Sequence, residues 1–197
     1  MSLKYFSIDI ETTGLSLENC QIIEFAAIFD DLKNQKPLKK LPTFHRLIKT
    51  GKVITGEPYA LGMHSEKLFA IANNSTKYNY CYESELQKQF AEFCESCGIQ
   101  RTSAKNKIVI NVAGKNFGSF DLQFLNKIGF GSEVVIKHRI LDPSILFLTK
   151  DDCTLPNTEE CKKRAKLKSS VVTHNALDDA FDVVEILRKG LKHIYKK

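Results

Sequence analysis

The stretch Ser7-Ile8-Asp9-Ile10-Glu11-Thr12-Thr13-Gly14 reads as a buried strand running into a turn. Residues two apart on a strand share a face, so Asp9 and Glu11 project together while Phe6, Ile8 and Ile10 pack on the other side. Two carboxylates held side by side among apolar residues repel each other and lose hydration. A cation between them would relieve both penalties, and ligation by oxygen alone is what Mg2+ or Mn2+ prefers. A frayed strand end with two solvated acids would carry the same residues. Alone, the stretch leaves both readings open.

Outward from it, Tyr5–Ile10 and Ile22–Phe29 read as strands with Gly14 and Asn19 in the turn region between them, and Phe44–Ile48 as a third. Gly51–Asn79 is rich in Gly, Pro, Asn and Ser, with a short helix around Ser65–Ile71. Ser84–Cys97 has amphipathic helical spacing with Ser84 as candidate N-cap. Ile108–Val112 is a short apolar strand, Ser119–Ile128 a helix stopped by Gly129, and Val134–Leu141 a strand closed by Asp142-Pro143. Asn175–Lys192 is the clearest helix, with Leu177, Phe181, Val184, Leu187 and Leu191 along one face. Strands first, then strands alternating with helices, imply an α/β layered fold with a mixed sheet.

Bulk properties narrow the function. A chain of 197 residues with 43% apolar composition and no internal repeat or linker is expected to form a single domain, 1–197. The net charge of +6 and a pI near 8.9 fit a polyanionic partner without demanding one. Cys94-x-x-Cys97 has no second close pair for a zinc ribbon and lies at a helix end before Gly98, not after a strand. The six cysteines therefore read as free thiols in a reducing compartment. No apolar run reaches the ~18 residues that span a bilayer, and no signal-peptide core starts the chain, so no membrane partner and a cytoplasmic location are expected.

Two further stretches carry chemistry. In Asn116-Phe117-Gly118-Ser119-Phe120-Asp121, the acid falls in the first turn of a helix, where the dipole favours it whatever its function. In His174-Asn175-Ala176-Leu177-Asp178-Asp179-Ala180, Leu177 and Phe181 face the core, so Asp178 and Asp179 cannot both do so. His174 stands just before that helix, where a loop can bring a side chain that titrates near neutrality over the acids. A helix-start histidine with capping acids is the plainer account of the same residues.

Taken in series, the three stretches resemble the DEDD superfamily of 3′–5′ exonucleases, in the subgroup whose third motif carries histidine. That subgroup includes ribonuclease T, oligoribonuclease and the proofreading subunit of bacterial replicative polymerase. Asp-x-Glu-Thr-Thr-Gly is present as Asp9, Glu11, Thr12, Thr13 and Gly14; Asn-x-x-x-Phe-Asp as Asn116, Phe120 and Asp121; His-x-Ala-x-x-Asp as His174, Ala176 and Asp179. The likeness spans Tyr5 to about Leu187.

The resemblance implies a ribonuclease H-like fold, with a five-stranded mixed sheet whose second strand is antiparallel and helices on both faces. It implies that Asp9, Glu11, Asp121 and Asp179, rather than Asp178, hold two divalent cations, Mg2+ or Mn2+, and that His174 is the general base. Thr12, Thr13, Gly14 and Leu15 would meet the terminal nucleotide, with Asn116 and Phe120 beside it. Met63 and His64, in Tyr59-Ala60-Leu61-Gly62-Met63-His64, would lie on a loop that approaches substrate, although both could equally be packing residues. The implied partner is the 3′ end of single-stranded DNA or RNA, and the relatives suggest a homodimer or a polymerase as protein partners. The alternative is a non-catalytic nucleic-acid-binding or scaffold domain that kept the fold. Such domains commonly lose a ligand, and here four acids and the histidine are all present. The densest basic run, Lys162, Lys163, Arg164, Lys166 and Lys168, reads either as a phosphate-holding lip of the site or as a solvated helix face.

Overall fold

Alternation in the first strand divides the protein into two packed layers. A computed structural model describes residues 3–167 and 174–194. Its elements in chain order are β1 (Lys4–Thr12), β2 (Ile22–Asp31), β3 (Thr43–Lys49), α1 (Pro58–Met63), α2 (Ser65–Asn73), β4 (Tyr80–Tyr82), α3 (Glu83–Ser96), β5 (Ile108–Ile110), β6 (Val112–Ala113), α4 (Asp121–Lys127), β7 (Val134–Ile136), α5 (Thr158–Arg164) and α6 (Ala176–Ile194). A five-stranded sheet has the order β4-β3-β2-β1-β6, in which β2 is antiparallel to both neighbours and the outer pairings are parallel.

Phe6, Ile8 and Ile10 of β1 pack with Phe25, Phe44 and Phe130 beneath α3 and α4, which contribute Leu86, Phe90, Cys94, Phe124 and Leu125. Phe90 sits edge-on to Phe6 at 5.5 Å and to Phe25 at 5.2 Å between ring centres. The opposite face, from Tyr5, Ile28 and Ala113, receives Ala180, Val183, Val184 and Leu187 of α6. Ser7 lies on this second face, and its small side chain lets α6 close in until Ser7 Oγ donates to the Ala180 carbonyl at 2.8 Å. Helices therefore cover both faces, as expected.

The five strands are not quite the expected five. Val134–Leu141 is extended only as far as Ile136, and β7 pairs with β5 in a separate two-stranded parallel ladder. Asn111 splits the strand expected over Ile108–Val112, its amide turned to the Lys4 carbonyl at 2.8 Å. Pairing resumes at Ala113 with Leu141, so five steps from Ile136 match three from Ile110 and Lys137-His138-Arg139 bulges out. The fifth place in the large sheet goes to β4, which the sequence did not announce. Helix α3 starts at Glu83, not after a Ser84 cap; the Glu85 side chain accepts the Tyr82 N–H at 3.1 Å.

Cys94-x-x-Cys97 closes α3, and Gly98 takes the left-handed conformation (φ 79°) that ends it. All six cysteines are free, and burial pushes the Cys94 and Cys97 thiols up. Among the described residues no helix is long and apolar enough to cross a membrane.

Candidate metal centre

Four carboxylates from three separate segments meet at one end of the sheet. Asp9 and Glu11 project from β1 on the α6 side; Asp121 opens α4; Asp179 lies in the first turn of α6. One oxygen from each of Asp9, Glu11 and Asp179 falls within 4.8 Å of the others. Asp121 joins from the far side, buried, with Oδ1 accepting the Ile10 N–H at 3.2 Å. Asp178, next to Asp179, is exposed, as the core-facing stripe of α6 requires.

The electrostatics are unfavourable without a cation. Burial first, then the charges of Asp121, Glu11 and Asp179, hold the Asp9 carboxyl well above the usual range. Burial is also the main cause at Asp121 and at Asp179, each pushed up to about 7, with Glu11 adding repulsion in both cases. Asp179 Oδ1 is buried and has no hydrogen-bond partner among the described residues. A buried carboxylate oxygen left unpartnered beside three more acids is a donor set suited to a hard divalent ion. Asp9, Glu11, Asp121 and Asp179 thus fit such a group.

The acids line a cleft of about 480 Å3 together with Leu15, Asn116, Phe120 and His174. Leu15 is 75% exposed, so its side chain is free to meet a ligand. His174 is exposed at the cleft, in a left-handed backbone conformation (φ 49°). Asn116 is likewise left-handed (φ 55°), and its N–H donates to Asp142 Oδ2 at 3.2 Å. Phe120 half-buries its ring 5.1 Å from Phe124 and forms the wall next to Asp121.

The remaining expected contacts divide. Thr12 Oγ1 donates to the Gly14 carbonyl at 2.7 Å, and Thr13 Oγ1 donates to Thr55 while accepting from Gln21 N, so both hydroxyls serve the turn. Gly14 (φ 151°) is required there: a Cβ would lie 2.7 Å from the Glu57 side chain and 2.8 Å from Cys20 Sγ. Met63 ends α1 and is 38% exposed. His64 is buried, with Nε2 3.3 Å from Glu11 Oε2, so it touches an acid of the site itself.

Several participants were not singled out in the sequence. Lys115 and Ser119 also line the cleft. Glu57 accepts the N–H groups of Leu15 and Ser16 at 2.9 and 3.2 Å, pinning the turn after β1. Glu24 pairs in register with Glu11 and is fully buried. Burial would raise its carboxyl, but hydrogen bonds from His45 and Lys67 more than offset this and the group is held below its usual range. A lone acid inside the apolar run Ile22–Phe29 was the available signal.

The basic run is largely committed elsewhere. Lys162 is buried against Asp182 at 2.7 Å, and Arg164 pairs with both oxygens of Asp152 at 2.5 and 2.8 Å. Lys168 lies outside the described residues.

No protein-family model matches the chain, and no curated protein matches it in sequence. Solved structures do match. Cell-death related nuclease 4 superposes with a TM-score of 0.66 at 13% identity, covering 96% of this chain and 64% of that one. The zinc-bound E. coli exonuclease I–single-stranded DNA complex gives 0.60 at 15% identity, covering 100% and 43%. Exonuclease I from Methylocaldum szegediense gives 0.62 at 14% identity, covering 98% and 41%. The chain spans under two thirds of the first nuclease and under half of the exonuclease I chains. At these identities the likeness is one of architecture: the chain has the ribonuclease H-like α/β fold of these nucleases.

Proposed function

We propose that the protein is a metal-dependent 3′–5′ exonuclease, acting as a single domain on single-stranded DNA or RNA and releasing nucleoside 5′-monophosphates. The observation that carries this reading is the convergence of Asp9, Glu11, Asp121 and Asp179, with Asp179 Oδ1 buried and unpartnered, in a cleft that His174 also lines. The nuclease fold and the single-stranded DNA bound by E. coli exonuclease I support it.

In this reading the four carboxylates hold two divalent ions, Mg2+ or Mn2+. When bound, these supply Lewis-acid stabilisation of the charge that develops on the scissile phosphate and the leaving 3′ oxygen. His174 accepts the proton of the attacking water from its exposed position at the cleft, and attack is in line with the departing oxygen. Leu15, Met63 and Phe120 offer apolar surface to the terminal nucleotide, while Asn116 and the backbone around Thr12, Thr13 and Gly14 position its sugar. His64, buried behind Glu11, orients that carboxylate.

Product analysis tests the reading. Matched DNA and RNA 24-mers (an arbitrary assay length) incubated with Mn2+ should shorten from the 3′ hydroxyl and release 5′-monophosphates. Cleavage of a circular single strand at a comparable rate would overturn the polarity, and no hydrolysis of any strand would overturn the activity.

A further inference from the structure

Lys67 lies in the first turn of α2 with its side chain almost wholly enclosed. Its Nζ makes two contacts at once: 2.6 Å to Glu24 Oε2, and 2.9 Å as donor to the backbone carbonyl of His174. The same Glu24 oxygen accepts the Ala176 N–H at 3.2 Å, and the other oxygen meets His45 Nε2 at 2.6 Å. A buried carboxylate on β2, directly across from Glu11, thus grips the chain on both sides of Asn175. It reaches Ala176 itself and His174 through Lys67.

Such an arrangement is expensive. A buried lysine and a buried glutamate lose hydration that an apolar pair would not have to surrender. Neutralising Glu24 alone explains an ion pair, but not why the ammonium also holds a carbonyl of the loop bearing the proposed base. His174 has the left-handed backbone conformation that few non-glycine residues adopt without support. Three residues before Lys67, His64 reaches Glu11. The first turn of α2 and the residue that caps it therefore touch both Glu11 and the histidine loop.

We infer that Lys67 is a positioning residue for His174: braced by Glu24, its ammonium fixes the His174 carbonyl and so the direction in which the imidazole faces the cleft. The inference rests on the proposed role of His174. It adds that the α1–α2 segment is mechanically joined to that base. A positioning group of this kind affects the chemical step, because a misdirected base lowers kcat while substrate contacts persist.

The test uses Lys67→Met, Glu24→Gln/Lys67→Met and His174→Ala in the full chain. The double variant leaves no unpaired buried charge, so it keeps the question answerable if Lys67→Met folds poorly. Lys67→Met should lower kcat about 10–100-fold with KM changed less than about threefold, and the double variant should stay equally slow. In a His174→Ala background the Lys67 substitution should cost nothing further. Independently of activity, amide exchange at Ala176 and Leu177 in metal-free protein should quicken about tenfold or more in Lys67→Met, which keeps Glu24, the acceptor of the Ala176 N–H. Recovery of wild-type kcat in the double variant would reduce Lys67 to a counter-ion and overturn the inference. So would an undiminished loss in the His174→Ala background, or unchanged exchange. If wild-type protein cleaves nothing yet the exchange effect is present, the exonuclease reading fails and the brace on the His174 loop stands.

Discussion

Asp121 Oδ1 accepts the backbone N–H of Ile10, the residue between Asp9 and Glu11, at 3.2 Å. One carboxylate therefore both belongs to the acid cluster and ties α4 to β1. An asparagine keeps an acceptor oxygen for that tie while removing the charge. Asp121→Asn should abolish hydrolysis and leave the fold as stable or more stable. Its carboxyl is raised to about 7 in the fold against ~3.9 unfolded, so the folded state holds the proton more tightly. Stability from that group is complete below about pH 4 and is lost as pH rises through about 7. The melting temperature of Asp121→Asn minus that of wild type, both metal-free, should therefore grow between pH 5 and 8. Wild-type turnover in the variant would sink the metal assignment.

Metal should stabilise the protein by filling this cluster. Adding Mn2+ to metal-free protein raises the melting temperature, with ~2.7 kcal/mol expected at a hundred times Kd. Because Asp121 and Asp179 titrate near 7, ions must displace protons there, and the shift should be smaller at pH 6 than at pH 8. Asp179→Asn should shrink it. No shift at millimolar Mn2+ would count heavily against the site.

His174 lines the cleft without being one of the clustered ligands, so its removal should spare metal binding. His174→Ala is expected to lower turnover by ~10²–10⁴-fold while the Mn2+ melting shift persists. Turnover within about threefold of wild type in the variant would assign the base to another group.

The two basic stretches should behave differently. Lys162 is sealed against Asp182, so Lys162→Gln should cost ~3–5 kcal/mol of stability and leave the salt dependence of binding alone. Lys137 and Arg139 are exposed, with no ion pair to another described residue, on the bulge whose Ile140 approaches Gly118 at the cleft side. Changing both to glutamine should flatten the log K against log salt slope for long single strands by roughly 1.4 units, with dinucleotide cleavage unaffected. Equal loss on both substrates would indicate a folding defect instead.

Phe90 contacts five aromatic rings, three of them on β1, β2 and β3, so Phe90→Ala should destabilise by ~3–5 kcal/mol in thermal or urea unfolding. A loss under ~1 kcal/mol would mean the cluster collapses around the cavity.

The central strands were legible because Tyr5–Ile10 alternates and Ile22–Phe29 and Phe44–Ile48 are short, β-favouring, largely apolar stretches bounded by turn residues. Helix α6 was legible through its period of 3.6. The position of Leu177 and Phe181 showed only that Asp178 and Asp179 could not both face inward; the family resemblance, through the spacing from His174, singled out Asp179. What escaped depends on partners remote in sequence. Tyr80–Tyr82 is a strand only because β3 lends it a backbone to pair with, and three residues carry no readable period. Val134–Leu141 looked continuous because apolar content does not reveal where a neighbouring strand is interrupted by Asn111. Lys67 sits in a loop-rich stretch, and its role depends on Glu24 and His174, respectively 43 and 107 residues away in sequence.

The contact between Ser7 Oγ and the Ala180 carbonyl works as a spacer gauge. Ser7 is two residues from Asp9 on β1, and Ala180 follows Asp179 on α6, so the approach of this strand and this helix sets how far apart the two carboxylates stand. A leucine at position 7 would lever the helix outward and widen the gap while every acid stayed in place. The geometry of the acid cluster therefore depends on a side chain that is not one of its acids. A chain could keep all four carboxylates and the histidine, match the motifs letter for letter, and still be inert because residue 7 had grown.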